Sequence, residues 1–398
     1  MTRKIAIMTG TRADYGLLRP LIAAVQASAE AELQLIVTGT HLSAAHGRTI
    51  DEITRDGYAP AAEVDIWAEE PTQALTGQPG SQSLTAAVET GEAVAKFSLM
   101  LDHLEPDIVV VLGDRLEAFA MATAATVLTI PVAHIHGGEL TLGAMDDALR
   151  HSITKLSYLH FATTEEHRNR VIQLGESPDR VFNFGAPVLD SIATLDFMGR
   201  EALEDKFGIK FGAQNILMTF HPAAFDVASA QQMIDELLAA MAATDAHLII
   251  TGTNNDIGSA EVRAAISQFC TMHADRVSYV ESFGQLGYLS VIQQVDVVTG
   301  NSSSTVLEAP IFKVPTVLVG NRQEGRPISA STIKVGAERT EILAALQKAL
   351  SPEFKALAAA TESPFGQPGF AAKALSHLVN HPIANPPKKQ FFNLPASA

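Results

Sequence analysis

The stretch that decides the fold is Ile108-Val109-Val110-Val111-Leu112-Gly113-Asp114-Arg115. Five aliphatic residues in a row leave no polar face, so the strand they predict is covered on both sides, as in a parallel sheet between two helical layers. A glycine, a carboxylate and a cation then follow at the strand's carboxyl end, the working edge of such a sheet. Reading outwards, similar short runs recur at Lys4–Met8, Leu33–Thr38, Pro131–Ile135, His160–Ala162 and Val181–Phe184. Helix-length amphipathic segments lie between them: Leu17–Ser28, Ser83–His103, Arg115–Thr126, Asp146–Tyr158 and Glu165–Leu174. The alternation predicts a doubly wound α/β layer.

Between Asp196 and Gly212 the pattern breaks into charged and glycine-containing sequence, then restarts. Strands are expected at Asn215–Thr219, His247–Thr251, Arg276–Val280, Asp296–Thr299 and Thr316–Val319. Helices are expected at Ala230–Ala242, Ser259–Met272, Gly284–Gln293 and Ser304–Pro310, with a last one at Gly366–Asn380 before the proline-rich Pro382–Pro387. The reading is two Rossmann-like α/β domains, 1–198 and 205–365, facing a cleft where a ligand would bind. At roughly 150 residues per domain, 398 residues accommodate both.

The net charge of −16 repels phosphate backbones and anionic lipids, and no basic run overrides it, so neither nucleic acid nor a membrane surface is an expected partner. The longest uncharged stretch, Ala118–Ala133, falls short of the roughly 20 residues that span a bilayer. A single cysteine, Cys270, excludes a disulfide framework and a thiolate-bound structural zinc, and sits in a helical stretch as core packing. A soluble, cytoplasmic protein without metal or cofactor is expected.

Polar clusters collect where strands end. Thr9–Gly16 (TGTRADYG) offers Arg12 for a bidentate phosphate contact, or is simply a capped turn. Asp114 either caps the next helix or does chemistry, capping being the commoner use. His134-Ile135-His136-Gly137-Gly138-Glu139 precedes Asp146-Asp147-Ala148-Leu149-Arg150-His151, where Asp146 and Arg150 are spaced to pair on one helix face and Asp147 and His151 share the next. His134, His136 and Glu139 match no zinc spacing, so acid/base work is the better reading. In the second half, His221 closes one strand and Asn254 lies just past another. Gly300-Asn301-Ser302-Ser303-Ser304-Thr305 opens a predicted helix like a diphosphate cradle, with Glu308 one turn on and Arg322 and Arg326 in a later loop. Phosphate-loop, nucleophile-elbow and dinucleotide glycine motifs are absent.

Taken together and in order, TGTRADYG (9–16), LGDR (112–115), HIHGGE (134–139), DDALRHSITKLSYLH (146–160), GNSSSTVLEAP (300–310) and GNRQEGR (320–326) make the chain resemble the hydrolysing UDP-N-acetylglucosamine 2-epimerases of sialic- and legionaminic-acid biosynthesis. The resemblance runs to the Phe391-Phe392-Asn393-Leu394-Pro395 tail. It implies a glycosyltransferase-B type fold, with a terminal helix at about 367–385 crossing back to the first domain and a tail at 386–398. It also implies a homo-oligomer, dimer or tetramer, acting on a nucleotide sugar.

The implied reaction is anti elimination of UDP across C-1 and C-2 to a 2-acetamidoglucal, then hydration to the free 2-epimer. Position by position, the resemblance places Asp114, Asp146 and Arg150 in the active site, and the acid/base reading adds His136 and Glu139 as catalytic candidates. The resemblance gives Arg12 to the phosphates or substrate, His221 and Ser302 to the nucleotide's phosphates and Glu308 to the ribose, while Asn254, Ser303, Ser304, Arg322 and Arg326 join them as substrate-binding candidates from the strand-end loops. Where non-hydrolysing epimerases carry a glutamate this chain has His136, and Ala13-Asp14 replaces their proline-glutamate pair; both favour the hydrolysing branch. The same reaction on a UDP- or GDP-linked 2,4-diacetamido-2,4,6-trideoxyglucose is the nearest alternative. A glycosyltransferase or a non-catalytic nucleotide-sugar sensor on the same fold stands further off.

Overall fold

A computed structural model gives the architecture and describes residues 2–43, 48–66, 82–141, 145–222, 227–253, 259–384 and 386–395. Two compact units result, one of residues 1–194 with 365–398, the other of residues 195–364.

The first unit is a seven-stranded parallel sheet of β1 (Arg3–Thr9), β2 (Ala31–Thr38), β3 (Ala62–Val64), β4 (Ile108–Leu112), β5 (Val132–Ile135), β6 (Leu159–Ala162) and β7 (Val181–Asn183). Their order, β3-β2-β1-β4-β5-β6-β7, reverses between β1 and β4, so the loops after these two strands flank the switch point where doubly wound sheets bind ligands. Pleating divides β4 between two cores. Ile108 and Val110 pack with the helices Arg12–Ala27 and Phe370–Asn380, whereas Val109 and Val111 pack with Gln82–Leu104 and Leu116–Val127. All four are fully buried, each stabilising the sheet by about 1.5–3 kcal/mol.

The second unit repeats the plan with β8 (Asn215–Thr219), β9 (His247–Thr251), β10 (Val277–Val280), β11 (Val297–Gly300), β12 (Thr316–Val319) and β13 (Thr332–Val335), in parallel order β10-β9-β8-β11-β12-β13. Ile216, Met218, Leu248, Ile250, Val297 and Val317 line one core with the helices Val227–Ala242, Ser259–Met272 and Arg339–Leu350.

Several expectations need correcting. The first helix begins at Arg12, not Leu17, because Thr11 caps it, its hydroxyl accepting from Asp14 N at 3.2 Å. Pro20 inside that helix cannot bond the carbonyl of Gly16; Ser191 does so instead, donating its hydroxyl at 2.8 Å. The expected helix Ser304–Pro310 is a 3-10 turn, Ser303–Thr305, followed by the single turn Glu308–Ile311. The last helix starts at Phe370 rather than Gly366, since Pro368 disfavours helical backbone before it and Gly369 takes φ +117°. A helix also fills Arg200–Phe207, within the stretch read as a break. Among the described residues, no helix is long and apolar enough to cross a membrane.

Candidate active site

In the first unit the chemistry gathers around the carboxyl ends of β1, β4 and β5. His134, fully buried on β5, pins the loop after β4: its Nε2 donates to the Gly113 carbonyl at 2.7 Å and its Nδ1 accepts from the Thr154 hydroxyl at 3.2 Å. Burial drives its pKa down to about 3, so the neutral ring is a strut and not a titrating group near pH 7.

Arg150, only 3% exposed, organises what lies in front of that strut. One guanidinium nitrogen donates to the Glu139 carbonyl at 2.9 Å and to Asp147 Oδ1 at 2.8 Å. The other donates to Thr141 Oγ1 at 2.9 Å and makes a short contact to Asp114 Oδ2. The expected Asp146–Arg150 pair is therefore not the one formed. Asp147, one turn back on the helix Met145–Leu156, takes the guanidinium and also accepts from Thr141 N at 2.6 Å. Asp146 is left to line, with Asp114, Arg115 and Glu117, a cavity of about 880 Å³ whose other wall includes Leu116 and Leu149.

His136 and Glu139 form a second group, joined to the first through Arg150. His136 holds φ at +67°, a left-handed backbone that costs a side-chain-bearing residue about 1–3 kcal/mol and persists where function demands it. Its Nδ1 lies 2.5 Å from Glu139 Oε1, while Nε2 is buried with no hydrogen-bond partner among the described residues. Glu139 also accepts from Thr163 Oγ1 at 3.3 Å, which contacts the buried His167 at 2.7 Å. Gly138 makes this turn possible: at φ +83°, a Cβ there would lie 2.2 Å from the His167 carbonyl oxygen.

In the second unit the loops after β8 and β11 are zipped together. His221 N donates to Asn301 Oδ1 at 2.8 Å, and Asn301 Nδ2 donates back to the His221 carbonyl at 2.7 Å. Gly300 (φ +121°) allows this approach, since a Cβ would lie 2.0 Å from the Thr219 carbonyl. Ser302 caps the 3-10 turn, while the Ser304 hydroxyl is occupied by Tyr288 at 2.6 Å. One turn carries little macrodipole, so what this loop offers an anion is hydroxyls and N–H groups more than a helix field. The Arg322 guanidinium reaches the Asn301 carbonyl at 3.4 Å. Burial pushes the Glu308 carboxyl up, opposed by Arg326, and its Oε2 is buried without a partner among the described residues. Asn254 lies outside the described residues.

Residues 23–379 match the model of the UDP-N-acetylglucosamine 2-epimerase family. The chain belongs to that family. It is 35% identical, over 89% of both chains, to a hydrolysing GDP/UDP-N,N'-diacetylbacillosamine 2-epimerase of Campylobacter jejuni. It is 34% identical to the polysialic acid biosynthesis protein P7 of Escherichia coli, over 99% of this chain and 98% of that one. Its fold matches a UDP-GlcNAc 2-epimerase of Neisseria meningitidis solved bound to UDP-GlcNAc, with a TM-score of 0.75 and 21% identity over 95% of this chain and 100% of that one.

The protein is thus a sugar-nucleotide 2-epimerase with two Rossmann-like units of glycosyltransferase-B type. The structure of this epimerase adds two carboxylates that sequence reasoning did not count as site residues. Asp14 and Glu117 are both buried, both have pKa values raised by that burial, and Arg115 lies 3.8 Å from Asp14. The signal for Glu117 was a lone carboxylate at the start of the otherwise uncharged helix Leu116–Val127. Arg12, by contrast, is exposed and pairs with Glu52 at 3.1 Å. Among the described residues no cluster of three or more His, Cys, Asp or Glu is arranged to hold a metal ion.

Proposed function

We propose that this epimerase is of the hydrolysing kind: it expels UDP from UDP-N-acetylglucosamine by anti elimination and hydrates the 2-acetamidoglucal to N-acetylmannosamine, the precursor of a sialic-type acid. The observation that carries this reading is the pairing, in one cavity, of Asp114 held by Arg150 with Asp146, which Arg150 leaves unclaimed. Two carboxylates are what the two proton transfers at C-2 need.

A C-2 hydrogen with no adjacent carbonyl is too weak an acid to be removed directly. It becomes removable as the C-1–oxygen bond breaks and its electron pair leaves on the diphosphate; the C-2–H pair then forms the C-1=C-2 double bond while a carboxylate keeps the proton. In the second step water oxygen bonds to C-1, its proton goes to a base, and an acid returns a proton to C-2 on the opposite face. Asp114 and Asp146 share these duties. Glu139 orients His136 through Nδ1, leaving Nε2 for the remaining transfer. The second unit holds the nucleotide: His221, Ser302, Ser303, Arg322 and Arg326 take the diphosphate, whose developing charge is the largest to be stabilised, and Glu308 takes the ribose.

A second reading keeps the chemistry and changes the sugar. Leu42, Leu116, Met145 and Leu149 line the same cavity, an apolar wall that suits the C-6 methyl and extra acetamido group of a 2,4-diacetamido-2,4,6-trideoxyglucose, and the Campylobacter relative is named for such a sugar. Offering both nucleotides and comparing kcat/KM separates the two.

Turnover of UDP-N-acetylglucosamine in deuterium oxide tests the mechanism: UDP release with deuterium at C-2 of free N-acetylmannosamine is expected, and a released sugar without C-2 deuterium would overturn elimination. Asp146→Asn should lower kcat at least 100-fold, about 3 kcal/mol of transition-state stabilisation; near-normal turnover removes Asp146 from the mechanism. Ser302→Ala should weaken UDP binding about fivefold, the loss of one hydrogen bond worth about 1 kcal/mol. Unchanged UDP affinity by calorimetry would move the diphosphate elsewhere.

A further inference from the structure

The tail after the last helix has no helix or strand of its own over residues 386–395, yet it delivers one ammonium group to a deeply placed site. Lys389 Nζ donates to the main-chain carbonyls of Lys155 at 2.6 Å and Ser157 at 2.7 Å, with Thr154 O at 3.5 Å. These oxygens lie at the carboxyl end of the helix Met145–Leu156, whose last carbonyls have no partner within the helix. The same ammonium lies 2.8 Å from Glu176 Oε2. Glu176 is completely buried and also takes Lys155 at 2.6 Å and His160 at 3.1 Å.

The tail is fastened again just beyond this contact. Phe391 lies so close over Gly175 that a Cβ there would sit 2.3 Å from the ring, and the Lys155 ammonium stands 5.0 Å from the ring centre. Phe392 N donates to the Gly175 carbonyl at 2.9 Å, and its ring packs on Val171, Ile172 and Val181. Through Lys389 the tail thus touches the helix that carries Asp146, Asp147 and Arg150.

We propose that Lys389 is a positioning residue: by capping the carboxyl end of the helix Met145–Leu156 it sets the axial position of Arg150 midway along the helix and of Asp146 at its other end. The proposal rests on the site assignment made above. A helix rises 1.5 Å per residue, so Asp146 lies about 15 Å from the capped carbonyls along a rigid rod. An uncapped helix that slides along its axis by about 1 Å carries the carboxylate with it, and misplacement of that size costs up to about 100-fold in rate. Nucleotide binding belongs to the other unit and should not feel the change.

Four proteins decide it: wild type, Lys389→Met, Lys389→Arg and Arg150→Met, assayed with UDP-N-acetylglucosamine well below each melting temperature, with UDP affinity measured by calorimetry. Lys389→Met should lose about tenfold in kcat while KM and UDP affinity stay within twofold. Lys389→Arg, which keeps donors for the same carbonyls, should recover most of the loss. Wild-type kcat in folded Lys389→Met would overturn the proposal. So would a parallel fall of kcat and UDP affinity that tracks the unfolded fraction, or no recovery in a well-folded Lys389→Arg. If Lys389→Met does not fold, Phe391→Ala, which removes a 65% exposed ring that fastens the tail beside Gly175 and so loosens the Lys389 contact, is read by the same kcat and UDP-affinity criteria. Wild-type turnover in Arg150→Met would instead refute the site assignment itself.

Discussion

Arg150→Met should reduce kcat by at least 100-fold and lower stability by about 3 kcal/mol, the largest effect of any single substitution in the site. The guanidinium is nearly inaccessible and holds Asp114, Asp147, Thr141 and the Glu139 carbonyl at once. Methionine fills much of the volume but leaves two carboxylates facing each other without a cation. Arg150→Lys should recover little, because a single ammonium cannot reproduce the planar fork that addresses Asp114 and Asp147 from different nitrogens. Thermal melts and steady-state kinetics check the prediction together. A variant with wild-type kcat, whatever its melting temperature, would leave Arg150 a purely structural residue.

The second large effect is acid unfolding. His41, His134 and His167 are buried, and burial lowers their pKa values from 6.5 to about 4, 3 and 4. Because the folded values lie below the unfolded one, the unfolded chain binds more protons between them, so stability falls as pH drops through 6.5 towards 4. Each ring contributes about 3 kcal/mol by pH 4, and three together rival the whole stability of an ordinary domain. Glu176 acts later. Burial raises its pKa, but the hydrogen bonds from His160, Lys155 and Lys389 outweigh that and hold it down at about 2, so its contribution, complete above about pH 4.5, is lost as pH falls towards 2. Melting temperatures should therefore decline from pH 7 downward and folding should fail before pH 4. A melting temperature constant from pH 7 to 4.5 would show that these rings are not buried neutral.

Much of the fold was legible because buried parallel strands are unambiguous in sequence. Ile108–Leu112, Asn215–Thr219, His247–Thr251 and Thr316–Val319 were read to the residue, each a short apolar run ended by glycine or polar residues. Short or edge elements were not legible. Ala62–Val64 and Thr332–Val335 are ordinary sequence that becomes strand only by pairing with β2 and β12. The helix expected at Ser304–Pro310 was illegible in a similar way: Ser302 caps a single 3-10 turn and the Ser304 hydroxyl bonds Tyr288, a partner 16 positions away.

By itself the sequence determined the two α/β layers, the strand ends where polar residues gather, and the ordered motifs of a sugar-nucleotide 2-epimerase, since all three depend on local pattern. Which carboxylate Arg150 holds was decided only by tertiary structure. Helical spacing allows both Asp146 and Asp147, and the choice falls to Asp147 because Thr141 and Asp114, distant in sequence, converge on the same guanidinium. The use of Lys389 was equally invisible beforehand: an extended tail has no periodicity to read, and its ammonium acquires a role only where folding leaves helix carbonyls and a buried glutamate within its reach.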